Sequence, residues 1–98
     1  MEQNQASSIL DIAKQLTSEE RQKQYGSPDD NFQTIANFWN VYLKKRLCAP
    51  LTAFDVGMLM DLLKTSREMH HHNKDNLIDK CGYIRCCAII SGDERSEM

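Results

Sequence analysis

Ser27-Pro28-Asp29-Asp30-Asn31-Phe32-Gln33-Thr34-Ile35-Ala36-Asn37-Phe38-Trp39-Asn40-Val41-Tyr42-Leu43 is the stretch that decides the fold class. Phe32, Ile35, Ala36, Trp39, Tyr42 and Leu43 recur at intervals of three and four. That is the spacing of one face of an α-helix. Pro28 suits a first helical position, because its fixed φ is already helical and its missing N–H would have had no partner there. Asp29 and Asp30 place negative charge on the first turn, where the unpaired N–H groups make the helix end positive. The spacing predicts a helix that starts near Pro28 or Asp29 and ends before Ala49-Pro50.

Three further helices follow from the same reasoning. Upstream, Ile9, Leu10, Ile12, Ala13 and Leu16 mark one face of a helix expected from Ser7 or Ser8 to Gln24, stopped by Gly26-Ser27-Pro28. Downstream, Thr52 followed by Asp55 resembles a capping box that opens a helix ending near Arg67 or Met69. At about 100° per residue, Val56, Met60 and Leu63 share a face with Arg67, while Phe54, Met58 and Leu62 widen the apolar surface expected to be buried. Gly57, Asp61 and Lys64 form a neighbouring polar stripe. Met69 to Lys74 reads as a loop, and a last helix is expected from about Asp75 to Ile90. On it Leu77, Cys81, Ile84 and Ala88 make one stripe, and Asp75, Asp79, Gly82 and Cys86 another. The reading is an all-α, compact four-helix domain with short connections, expected to be oligomeric because so short a chain buries a modest core. It occupies residues 1–98 as one domain, with an ordered core of about 7–91 and a polar, frayed tail from Gly92.

Composition narrows the function classes. The net charge is −2 and the three-residue basic run Lys44-Lys45-Arg46 suits a solvated helix end, which argues against a nucleic-acid binder. No apolar stretch approaches the roughly 18–20 residues needed to cross a bilayer, and Met1 to Gln5 lacks the layout of a signal peptide. A cytoplasmic protein is expected. The four cysteines, Cys48, Cys81, Cys86 and Cys87, make no CxxC pair, so they read as small buried hydrophobes rather than zinc ligands. His70, His71 and His72 are consecutive, do not share a helical face and read as an exposed loop. Trp39 with Tyr42 suits either the core or a stacked base.

Two polar clusters remain. Asp30 and Asn31 open one helix; Asp75, Asn76 and Asp79 open another, with Tyr83 beside them and Gly82 allowing close approach. Lys64 and Arg67 lie on the helix between. One reading is structural: Arg67 pairs with Asp75 or Asp79, Asp30 caps its helix and Lys64 is solvated. The other is a ligand site in which Lys64 and Arg67 hold phosphate, Asp75 and Asp79 hold a metal or orient the arginine, and Tyr83 or Trp39 meets a base. Two carboxylates one turn apart suit Mg²⁺ that keeps its waters and bridges phosphates.

With these residues in view, the chain resembles a small helical family found mainly in phages and prophages. The resemblance rests on Tyr25 to Phe32, Ile35-Ala36, Trp39, Asp55-Val56, Lys64, Arg67, Asp75-Asn76, Asp79 and Gly82-Tyr83, and covers about residues 18–90. It is distantly similar to the all-helical MazG-type nucleotide pyrophosphohydrolases, which hold Mg²⁺ with a Glu-x-x-Glu pair and a later Glu-x-x-Asp pair. This chain has no Glu-x-x-Glu, and Asp75 and Asp79 stand one residue further apart than the second pair. The polar grouping on otherwise apolar helix faces points to a phage-type accessory protein that binds a nucleotide or other phosphate-bearing small molecule, and the phage resemblance implies counter-defence by sequestering a host signalling nucleotide as one use. The alternatives are a Mg²⁺-dependent pyrophosphohydrolase and a module that inhibits a host protein.

Overall fold

The computed structural model describes residues 8–95. They form helices α1 (Ile9–Leu16), α2 (Glu19–Tyr25), α3 (Pro28–Tyr42), α4 (Ala53–His70) and α5 (Lys74–Ser91). The all-α expectation is met, with five helices where four were expected. The first expected helix divides at Thr17-Ser18. The Thr17 hydroxyl donates to the Ala13 carbonyl at 2.8 Å, and Ser18 leaves helical geometry (φ −73°, ψ 165°) to accept from the Arg21 N–H. A short hydroxyl side chain offers the backbone an alternative to continuing the helix, and here it starts a new one. α2 buries none of its residues and ends at Gly26, whose φ of +92° is costly for any side chain. The expected start at Ser7 and the last residues of the tail lie outside the described residues.

Caps set the other boundaries. Ser27, not Asp30, caps α3: its Oγ accepts from the Asp30 N–H at 3.2 Å, with Pro28 at the start of the helix. Asp30 is exposed and contributes charge rather than the cap. The capping box at Thr52 and Asp55 is formed in both directions. α4 runs on through Met69 and His70, so the loop expected over 69–74 contracts to His71, His72 and Asn73. Glu68 makes this tight connection feasible. It accepts from the Asn73 N–H and from the Asn76 side-chain amide, each at 3.1 Å, and pairs with His72.

So short a turn makes α4 and α5 an antiparallel hairpin, and this pair carries the most extensive contact in the fold. α3 packs on α4, and α1 packs on α5. The core is small: Phe32, Ala36, Ala53 and Val56, flanked by Ile35, Trp39, Met60, Tyr83, Cys86 and Ile90. Val56 is the one large side chain wholly removed from solvent among the described residues. Gly57 is buried where α4 meets α5, and a Cβ placed on it would lie 2.3 Å from Cys87 Sγ. The stripe Gly57, Asp61 and Lys64 is therefore the seam between the two helices, not a solvated flank.

One expectation about faces is corrected. On α4, Phe54, Met58 and Leu62 do not widen the core; they are 38%, 37% and 59% exposed. On α5, the stripe that faces the bundle is the one with Asp79, Gly82 and Cys86, since Gly82 is buried and Cys86 packs on the core. Ile84, from the stripe of purely apolar and small residues, is 44% exposed. The tail is not frayed at its beginning. The Asp93 and Glu94 N–H groups bond the Ala88 carbonyl, and Glu94 pairs with Arg85 at 3.0 Å. All four cysteines are free, but Cys48 is exposed rather than buried. Among the described residues no helix is long and apolar enough to cross a membrane.

Candidate functional site

The open groove at the hairpin end of α4 and α5 gathers most of the residues singled out in the sequence. It is lined by Lys64, Ser66, Arg67, His70, His71, Asn73, Asp75, Asn76 and Asp79, and encloses about 600 Å³. Lys64, Ser66, Arg67 and His70 come from the last turns of α4. Asp75, Asn76 and Asp79 come from the first turns of α5, and the turn between supplies His71 and Asn73. The arrangement follows from the hairpin: the end of one helix and the start of the next must share a neighbourhood. The N-terminus of α5 also brings the positive end of its dipole to the groove.

The charges are wired differently from either sequence reading. Lys64, with its side chain 14% exposed, meets Asp79 at 2.8 Å. One step along the seam, Lys80 meets Asp61 at 2.9 Å and also donates to the Thr65 hydroxyl. Arg67 does not pair with Asp75 or Asp79. It is exposed in the groove, and among the described residues no carboxylate lies within ion-pair distance of it. Asp75 is exposed at the rim; its backbone N–H is capped by Asn73 Oδ1 at 2.9 Å. Asn76 is buried, and its amide nitrogen is committed to Glu68. Bonds to His72, to the Asn76 amide and to the Asn73 N–H pull the Glu68 carboxyl down to about 2.

Tyr83 sits next to the Lys64–Asp79 pair without lining the groove. It packs on Phe32 with ring centroids 6.3 Å apart. Burial raises its phenol above the ordinary tyrosine value; Lys64 opposes the shift and Asp79 adds to it. Three of the expected ligand residues are elsewhere. Asp30 is exposed on α3, and Trp39 is packed against the core. Asn31 lines a separate hollow with Leu16, Thr17, Tyr25 and Cys86. Gly82 faces Thr17 of the N-terminal segment, not a ligand. For the metal expectation, Asp75 and Asp79 do share the groove, but among the described residues no three His, Cys, Asp or Glu side chains are placed to hold an ion.

Sequence reasoning missed Ser66, His70, His71 and Asn73 as groove residues, though all follow once the hairpin is tight. It also missed Arg85. This side chain, 10% exposed, reaches from α5 to the end of α1. It donates to the Lys14 carbonyl at 3.0 Å and to Thr17 Oγ1 at 3.1 Å. The first of these, in the last turn of α1, also accepts from the Thr17 N–H at 3.2 Å.

The family described as a domain of unknown function, DUF6378, matches residues 8–91. The chain belongs to this family. A relative of phage origin accords with the phage-type resemblance read from the sequence: the chain is 38% identical over 80 residues to the Gene 55 protein of Mycobacterium phage D29. That match covers 81% of this chain and 50% of the phage protein, so the chain spans about half of its relative's length. No solved structure matches the DUF6378 chain.

Proposed function

We propose that this protein binds a phosphate-bearing small molecule, a nucleotide being the class meant, in the groove between α4 and α5. The observation that carries the reading is Arg67: a guanidinium in a concave site, without a carboxylate partner among the described residues. Its planar fork of donors matches phosphate oxygens two at a time. Lys64 adds a second positive charge, held in place by Asp79. The Ser66 hydroxyl supplies a further donor, and the positive end of the α5 dipole favours an anion there. Asp75 stands at the rim, where a divalent cation arriving with the phosphates would use one or two carboxylates and its own waters. A phage-type protein of this kind, holding a host signalling nucleotide without turning it over, would serve counter-defence.

The shared placement of Asp75 and Asp79 supports a second reading, Mg²⁺-dependent pyrophosphate release. The two readings separate in one set of measurements. The chain is melted with inorganic phosphate, pyrophosphate, and linear and cyclic nucleotides, with and without Mg²⁺, and pyrophosphate release is followed in parallel. A ligand that binds the native state raises the melting temperature. The expected result is stabilisation by a nucleotide, lost at least tenfold in affinity in Arg67→Ala, without pyrophosphate release. Release abolished by Asp75→Asn would establish the enzyme instead. A panel that shifts nothing removes both readings. Asp75 is the carboxylate to replace, because removing Asp79 strands the Lys64 ammonium in the seam.

A further inference from the structure

α4 is apolar on the wrong side as well as the right one. Ala53, Val56 and Gly57 face inward and are buried. Outward, Phe54, Met58, Leu59, Leu62, Leu63 and Met69 are 38%, 37%, 40%, 59%, 38% and 83% exposed. A helix on the surface of a monomer carries polar residues on its outer face, and one that is apolar all round is covered. We infer that this face is covered by a second copy of the chain, α4 lying antiparallel against its twin across a two-fold axis.

Area and charge both point to a like copy. At those exposures the six side chains offer roughly 550 Å² per copy, or roughly 1,100 Å² across a two-fold pair, which clears the roughly 1,000 Å² expected of a specific interface. Phe38, Val41 and Tyr42, in the last turns of α3, which packs on α4, are also 72%, 76% and 87% exposed. The middle of the α4 face has no charge, so identical faces meet without repulsion. An antiparallel pairing about a two-fold axis sets the same uncharged patch of each copy against the other, which is the self-matching that such an interface demands. The thin core fits the same account, since a chain this short gains from burying more.

Sedimentation of the full chain from low to high micromolar concentration tests this. The expected species has twice the 11.3 kDa chain mass. Leu62→Glu should give a monomer with unchanged helical circular dichroism, while Leu10→Glu, an exposed change on α1, should leave the dimer intact. A wild-type chain that stays monomeric throughout overturns the inference, and so does a dimer indifferent to Leu62→Glu. The outcome is independent of nucleotide binding, which Arg67→Ala reads separately.

Discussion

Gly57 shows how one missing methyl positions two helices. Its hydrogen lets α5 approach until Cys87 Sγ occupies the place where a Cβ would stand. Gly57→Ala should cost about 1–3 kcal/mol, the usual penalty for overpacking a tight contact. Cys87→Ala added to it should recover part of that loss, since the smaller side chain vacates the site; chemical denaturation of the single and double variants measures both. Nothing in the local pattern marked this glycine, because its neighbour lies thirty residues away in sequence. Glu68 is a second case. Its carboxyl, normally near 4.5, is held at about 2 by His72, Asn76 and Asn73. A lowered folded-state value means the charged form is favoured by folding, so the stabilisation is complete above about 4.5 and disappears as pH falls towards 2. Melting temperatures between those limits should fall more steeply for the wild type than for Glu68→Gln. Cys86 contrasts with both: burial, then its neighbour Cys87, pushes its thiol up to about 11. It is an inert packing group, as its sequence setting suggested.

Among the elements, α1 depends most on a single contact set. It packs on α5 and is held at its C-terminal end by Arg85. Charge-assisted bonds of this kind are worth about 1.5–3 kcal/mol each when buried. Arg85→Ala should therefore free α1 while leaving the α4–α5 hairpin folded. Hydrogen exchange would show this as lost protection over residues 9–16 with protection retained over 53–91. The hairpin itself rests on the crossed pairs Lys64–Asp79 and Lys80–Asp61, which fix the register of α4 against α5. The loop before α4 is fixed similarly by Asn40, whose side chain both donates to the Leu51 carbonyl at 3.1 Å and accepts from its N–H at 2.7 Å.

For the whole molecule, the seven buried apolar residues are outnumbered by thirteen large apolar side chains that stay more than a third exposed among the described residues. That balance is poor for a lone domain and reasonable for half of a dimer. If α4 pairs with its twin, the melting temperature should rise with protein concentration, because association is linked to folding by mass action. Leu62→Glu should abolish that dependence. The groove lies at the end of the same helix, so the two proposals share α4 but use different residues of it.

Local chemistry was enough for the helices and their ends. A capping side chain, a proline or a positive-φ glycine acts within three or four residues, and all of those residues are visible in the sequence. The capping box at Thr52 and the helix from Pro28 were legible for that reason; the break at Ser18 is a capping serine at the point where the apolar stripe of Ile9 to Leu16 gives way to a polar segment. The gathering of Lys64, Arg67, Asp75, Asn76 and Asp79 also followed from helix order, because a tight hairpin joins its own ends. Which charge meets which did not follow. Periodicity gives each helix a set of faces but not its rotation about its axis, and that rotation depends on side-chain volumes meeting across the bundle. The close approach at Gly57 turned Lys64 and Asp79 into the seam, left Arg67 outside it, and turned Leu62 towards solvent.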